Sequence, residues 1–258
     1  LQGAEFYRSA LFAQAFCLKW RQASLSEPPE PQSMIASTAI PIQNLVLAPG
    51  SCITAADVSW EQYEAISAEL GNRARLTYYD GLLEIMSPLP IHERPHRIIG
   101  YIVTTLLDAE NRDWEDFGST TFRRFPNAGL EPDTCFYIQN AAAVRDCERM
   151  NLEVYPPADL AIESDVTSQT TFSAYAQIGV PEVWRYKSGR LQIFLLQAGE
   201  YIESGNSPTF LNLPVSTLIP KLVEQALQTG SSQMLRNLRR LTQHGLSDSS
   251  WLEQIQQS

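Results

Sequence analysis

The spacing of apolar and polar residues divides the chain into short segments of two kinds. Residues 59 to 70 repeat apolar positions at helical spacing, with Trp60, Tyr63 and Ile66 on one side. Ser59 is placed to cap that helix, Gln62 completes a capping box, and Gly71 ends it. The period then changes. Leu76-Thr-Tyr-Tyr79 and Leu82-Leu-Glu-Ile-Met86 flank Asp80-Gly81, which predicts a tight β-hairpin ended by Ser87-Pro88. Residues 92 to 110 return to helical spacing through Ile98, Ile99, Ile102, Val103, Leu106 and Leu107, with Pro95 expected in or just before the first turn. Strands are predicted over 118–125 and 132–138, joined by a loop through Pro126, Asn127 and Gly129, and again over 159–166. A helix over 170–178 buries Phe172 and Tyr175 and stops at Gly179, with Pro181 beyond. A three-stranded meander follows over 182–186, 191–196 and 201–204, then helices over 216–228 and 232–243 parted by Gly230. Helices interleaved with strands give an α/β class.

The alternation within the strands changes what the acidic residues mean. Asp133, Cys135 and Tyr137 share one face of their strand, and Asp159, Ala161, Glu163 and Asp165 share one face of theirs. Asp133 is followed by Thr-Cys-Phe-Tyr-Ile, and Glu163 is preceded by Leu-Ala-Ile. A carboxylate inside apolar sequence is costly to bury unless it is paired or bound to a metal. If the two strands are neighbours, Asp133 and Glu163 converge on one cation, and hard oxygen ligands of this kind suit Mg²⁺ or Mn²⁺. The simpler alternative is that each is a strand-end residue facing water.

Composition narrows the classes. Apolar residues make up 44% of the 258, ample for a core. No run approaches 18 apolar residues, so no membrane-spanning helix is expected, and the chain reads as cytoplasmic. The four cysteines form no CxxC pair, which fits reduced thiols better than a zinc knuckle. A net charge of -10 counts against coating nucleic acid by bulk electrostatics. It leaves room for an enzyme that meets a phosphodiester through a metal and a local basic patch. Residues 1 to 33 read as an extension ahead of a single domain over 34–258, with a Pro- and Ser-rich stretch from Ser26 to Ser33, and are expected to be dispensable. His92-Glu93-Arg94-Pro95-His96 has the outline of a zinc-hydrolase helix, but Pro95 inside it counts against that reading.

Several segments, taken together and in order, resemble the Uma2 family of restriction-endonuclease-like proteins, also called DUF820. They are Asp80-Gly-Leu-Leu-Glu-Ile-Met-Ser-Pro88 with His92-Glu93 after it, Phe117-Gly-Ser-Thr-Thr-Phe122, and Gly129-Leu-Glu-Pro-Asp-Thr-Cys-Phe-Tyr-Ile-Gln139. Pro157-Ala-Asp-Leu-Ala-Ile-Glu163, Asp165-Val-Thr-Ser168 and Gly179-Val-Pro-Glu-Val-Trp-Arg-Tyr186 complete the set, over roughly residues 40 to 240. The resemblance implies a PD-(D/E)xK nuclease fold, a restriction-endonuclease-like mixed sheet flanked by helices, here followed by the meander and the helical tail. It makes Pro132-Asp133 the "PD" element and Glu163 the second acid, with the Ser164 backbone carbonyl as a further metal ligand. Glu93 and Asp165 join the catalytic candidates, and Glu84 is a candidate additional acid.

One departure stands out. Two residues after Glu163, where the superfamily carries a lysine that orients the attacking water or stabilises the phosphate, this chain has Asp165. No lysine lies between Lys19 and Lys187, and Gln169 is the nearest polar residue on the following helix. Arg123 and Arg124 are the candidates for phosphate contact. The leading expectation is a Mg²⁺- or Mn²⁺-dependent endonuclease that hydrolyses DNA phosphodiester bonds, with a homodimer among the expected assemblies. The competing expectation is a nuclease fold with weakened or lost activity that binds nucleic acid or a protein partner.

Overall fold

A computed structural model of the chain describes residues 42–87, 90–164, 168–243 and Ile255, without the side chains of residues 43 and 90–93. The chain divides into two compact units, Leu1–Leu45 and Val46–Ser258. Of the first, a single 3-10 turn, Ile42–Asn44, is described. The extension expected over residues 1 to 33 lies outside the described residues. The second unit carries everything that follows.

Its first half forms a five-stranded sheet in the order β1-β3-β2-β6-β5. The strands are β1 (Cys52–Ala55), β2 (Arg75–Tyr79), β3 (Leu82–Met86), β5 (Phe122–Arg124) and β6 (Ala128–Leu130). Helix α1 (Trp60–Leu70) covers one face. Its capping box forms as the sequence predicts: the Ser59 hydroxyl accepts the Gln62 N–H at 3.2 Å, and the Gln62 side chain accepts the Ser59 N–H at 2.8 Å. The Asp80-Gly81 turn has φ of 44° and 84°, the two positive values a type I′ hairpin requires. Burial then alternates along β2. Leu76 and Tyr78 point to the α1 side, where Tyr63 stacks on Tyr78 with centroids 5.0 Å apart. Arg75, Thr77 and Tyr79 are half-buried on the other face.

The loop expected through Pro126, Asn127 and Gly129 is instead the β5–β6 hairpin, and Gly129 lies inside β6. A Cβ at Gly129 would meet the Tyr63 ring carbon Cζ at 2.5 Å. The glycine marks a close approach between a strand and an aromatic ring, not a turn. Gly129→Ala is therefore expected to destabilise the fold by about 1–3 kcal/mol, the usual cost of overpacking. A denaturant titration in which the midpoint does not move would count against this packing.

The second sheet has six strands in the order β11-β10-β9-β8-β7-β4. They are β4 (Glu115–Asp116), β7 (Thr134–Tyr137), β8 (Leu160–Ser164), β9 (Glu182–Lys187), β10 (Arg190–Gln197) and β11 (Glu200–Ser204). The C-terminal meander is not an appendage, because β9 runs parallel to β8 and extends its sheet. A parallel pair needs a crossover, and α3 (Gln169–Ile178) supplies it. One face of this sheet, through Phe136, Leu160, Ile162 and Trp184, packs on α2 (Pro90–Ala109), α4 (Val215–Thr229) and α5 (Ser231–Thr242). The opposite face, through Cys135, Tyr137, Ala161 and Val183, packs on Ala174, Tyr175 and Ile178 of α3. Phe122, Ala128 and Leu130 of the first sheet join that same cluster, so α3 lies between the two sheets.

Helix α2 starts at Pro90, two residues earlier than expected, so Pro95 sits inside it. Having no N–H, Pro95 makes no bond back to the carbonyl of residue 91. The helix is held instead by its apolar stripe, in which Ile99, Ile102, Val103 and Leu106 are fully buried. Among the described residues, no helix is long and apolar enough to cross a membrane.

Candidate active site

The pairing of β7 with β8 sets the site. Thr134 lies opposite Ile162 and Cys135 opposite Ala161. One step further out, the antiparallel register brings Asp133 opposite Glu163. Both are buried, at 9% and 7% exposure. The two strands are also tied beside the pair, where the Ser164 N–H donates to Asp133 Oδ2 at 2.6 Å.

Three more side chains converge on the pair. The Tyr175 hydroxyl, carried by α3, donates to Glu163 Oε1. The Arg75 guanidinium, carried by β2 of the other sheet, forms an ion pair with Asp133 Oδ1. His96, on the buried stripe of α2, places Nδ1 3.8 Å from Asp133 Oδ2. Glu84, on β3, fixes the start of α3. Its carboxylate accepts the Ser168 hydroxyl at 2.7 Å, while Ser168 Oγ accepts the Thr171 N–H at 3.0 Å as the N-cap.

The electrostatics of the two acids differ. Burial, and then the neighbouring Asp133, push the Glu163 carboxyl well above the usual carboxylate range. The Tyr175 hydrogen bond, the Arg75 charge and the Asp133 backbone oppose that rise. Burial and the facing Glu163 in turn hold the Tyr175 hydroxyl well above its ordinary value. Asp133, by contrast, has a cation on one oxygen and a backbone N–H on the other. A buried pair of hard oxygen ligands with one member penalised as an anion fits a divalent cation, which would relieve that penalty. Among the described residues, no group of three or more His, Cys, Asp or Glu side chains gathers as a metal centre, so the described donor set is these two carboxylates.

Of the residues the sequence nominates, Asp133, Glu163 and Ser164 come together. Asp165 and the Glu93 side chain lie outside the described residues. The two arginines proposed for phosphate contact are engaged elsewhere. Arg123 donates to Ser67 Oγ on α1 at 3.0 Å, and Arg124 donates to the Ile178 carbonyl at the C-terminal end of α3 at 3.1 Å. Arg75, His96 and Tyr175 are the residues the sequence reading missed. A signal existed for each. Arg75 begins the polar face of an alternating strand. His96 precedes Ile99 by three and Val103 by seven, so it falls on the apolar stripe. A tyrosine in a buried helical position needs a partner for its hydroxyl.

Comparison with known proteins gives the family. No curated protein matches the chain. A solved structure described as a "putative nuclease belonging to DUF820", from Anabaena variabilis ATCC 29413, is similar, with a TM-score of 0.40 and 14% identity, over 62% of this chain and 90% of that one. The family model described as "Putative restriction endonuclease", Uma2, matches residues 60–228, well over half of the sequence. The chain belongs to the Uma2 family of restriction-endonuclease-like proteins.

Proposed function

We propose that this protein is a metal-dependent endonuclease that hydrolyses DNA phosphodiester bonds at the Asp133–Glu163 pair. The observation that carries the reading is the register of β7 and β8, which buries two carboxylates opposite each other. Asp133 and Glu163 would hold Mg²⁺ or Mn²⁺, with the Ser164 carbonyl as a further oxygen and Asp165 and Glu93 as additional acids. An ion bound there would lower the pKa of a coordinated water and polarise the phosphoryl oxygen.

The chain's own residues do the positioning. The Ser164 N–H fixes the Asp133 carboxylate, and the Tyr175 hydroxyl fixes that of Glu163. Ser168, bridging Glu84 to the first turn of α3, anchors the helix that carries Tyr175. His96 backs Asp133 from α2. A DNA substrate and a cytoplasmic setting follow from the same reading.

A second reading is favoured by Asp165, which occupies the place of the motif lysine. On that reading the fold binds nucleic acid or a protein without cutting. Incubating the protein with supercoiled, linear and single-stranded DNA in Mg²⁺ or Mn²⁺ separates the two. Metal-dependent nicking that chelator stops and Asp133→Ala lacks is expected. Intact DNA of every form would leave the binding module.

A further inference from the structure

Four described arginines lie around the acids and α3, and three of them have structural work. Arg123 ties β5 to α1, Arg124 caps α3, and Arg185, opposite Glu163 in the β8–β9 register, lies over the Phe172 ring and donates to Gln192 Oε1. Arg75 is different. Its side chain is only 16% exposed, and its guanidinium reaches from one sheet to an acid beside the other. It also acts through space on Glu163 and, after Arg123, on Glu131.

We propose that Arg75 is the resting counter-ion of Asp133, displaced from it when a divalent cation binds the acid pair, and that the released guanidinium then contacts the phosphodiester. Arg75 thus supplies, from β2, the positive charge that Asp165 withholds from the motif lysine's position. The inference rests on the metal-endonuclease reading above.

Electrostatics supports it. A divalent cation on the acid pair adds two positive charges beside Arg75, which repels the guanidinium from Asp133 and draws a phosphodiester toward the site. Geometry supports it as well. Arg75 is the first residue of β2, and its long side chain can re-aim without moving the sheet. Asp133 keeps the Ser164 N–H on its other oxygen when Arg75 leaves. The planar guanidinium fork matches a phosphate as well as it matches a carboxylate.

The test titrates Mn²⁺ calorimetrically into the wild type, Arg75→Gln and Arg75→Lys. A fluorescent DNA duplex is then bound to each in Ca²⁺, a hard cation with the same oxygen preference. Arg75→Gln is expected to bind Mn²⁺ about tenfold more tightly, since the competing cation is gone, and the duplex about tenfold more weakly. Arg75→Lys, a compact charge without the fork, should fall between, and decides the matter if the Gln variant does not fold. Wild-type Mn²⁺ binding with no gain in either variant overturns the counter-ion and leaves the endonuclease reading standing. A gain in Mn²⁺ affinity with unchanged duplex binding overturns the transfer to phosphate. No Mn²⁺ binding by the wild type removes the endonuclease reading and this inference with it.

Discussion

Asp133→Asn is expected to slow metal-dependent DNA cleavage by at least about 10²–10³-fold, the loss typical of removing one preorganised electrostatic group from a catalytic site. Three contacts converge on this carboxylate, from Arg75, the Ser164 N–H and His96, so its oxygens are fixed before any ligand arrives. Asparagine keeps the shape but has one acceptor and no charge. The variant loses the proposed metal ligand and an ion-pair partner of Arg75. Glu163→Gln should lose a comparable amount. Tyr175→Phe should lose less, about 10–100-fold, because the hydroxyl acts through Glu163 and not on the substrate. Initial nicking rates in Mn²⁺, with circular dichroism to verify folding, check the order. A folded Asp133→Asn protein that cuts within a few-fold of the wild type would place the chemistry elsewhere.

The acid pair was legible in the sequence because the relevant information is local. Strand alternation assigns the faces of Asp133 and Glu163, and their apolar neighbours signal burial. The α1 capping box and the Asp80-Gly81 hairpin were legible for the same reason, since each depends on residues within a few positions of one another. Arg75 was not. Its partner is 58 residues away and belongs to the other sheet, and nothing local announces that the two sheets meet there. Gly129 misled, because a glycine at a close approach reads like a glycine in a turn.

Apolar context also does not separate a site from a scaffold. Asp159 and Glu182 are buried beside similar strand sequence, yet neutral donors saturate them. Asp159 accepts the N–H groups of Ile138 and Asn140 and the Asn140 side chain. Glu182 accepts the Trp184 indole and both donors of Thr209. Those two carboxylates hold loops in place. Asp133 and Glu163 instead face each other, and only the partners in three dimensions reveal the difference.

Sequence alone treats the two site acids as equals, which predicts that neutralising either one relieves the same repulsion. The geometry breaks that symmetry, and in chelator the two variants should move in opposite directions. Glu163 is raised as an acid in the folded protein, first by burial and then by Asp133. Unfolded, it returns to about 4.3. Between those two values the folded chain binds more protons than the unfolded one, so stability falls as pH rises from about 4.3 through the raised folded value. Glu163→Gln removes that proton linkage while keeping an acceptor for Tyr175. It should melt several degrees above the wild type at pH 8, with a flatter dependence on pH. Asp133→Asn takes the charge from an ion pair whose arginine is only 16% exposed. Breaking such an ion pair costs about 1–3 kcal/mol, discounted from the deeply buried case, or about 2–4 °C per kcal/mol for a domain of this size. That variant should melt lower. Mg²⁺ or Mn²⁺ at a hundredfold excess over its dissociation constant should then stabilise the wild type by about 2.7 kcal/mol and neither variant appreciably. Because the ion satisfies the Glu163 anion, it should also flatten the wild-type pH dependence toward that of Glu163→Gln. Melting curves from pH 5 to 9, with chelator and with metal, separate these effects. A metal-free Glu163→Gln protein less stable than the wild type at pH 8 would mean that the Tyr175 bond to the ionised carboxylate outweighs burial and the Asp133 charge, and the site would then have no need of a cation.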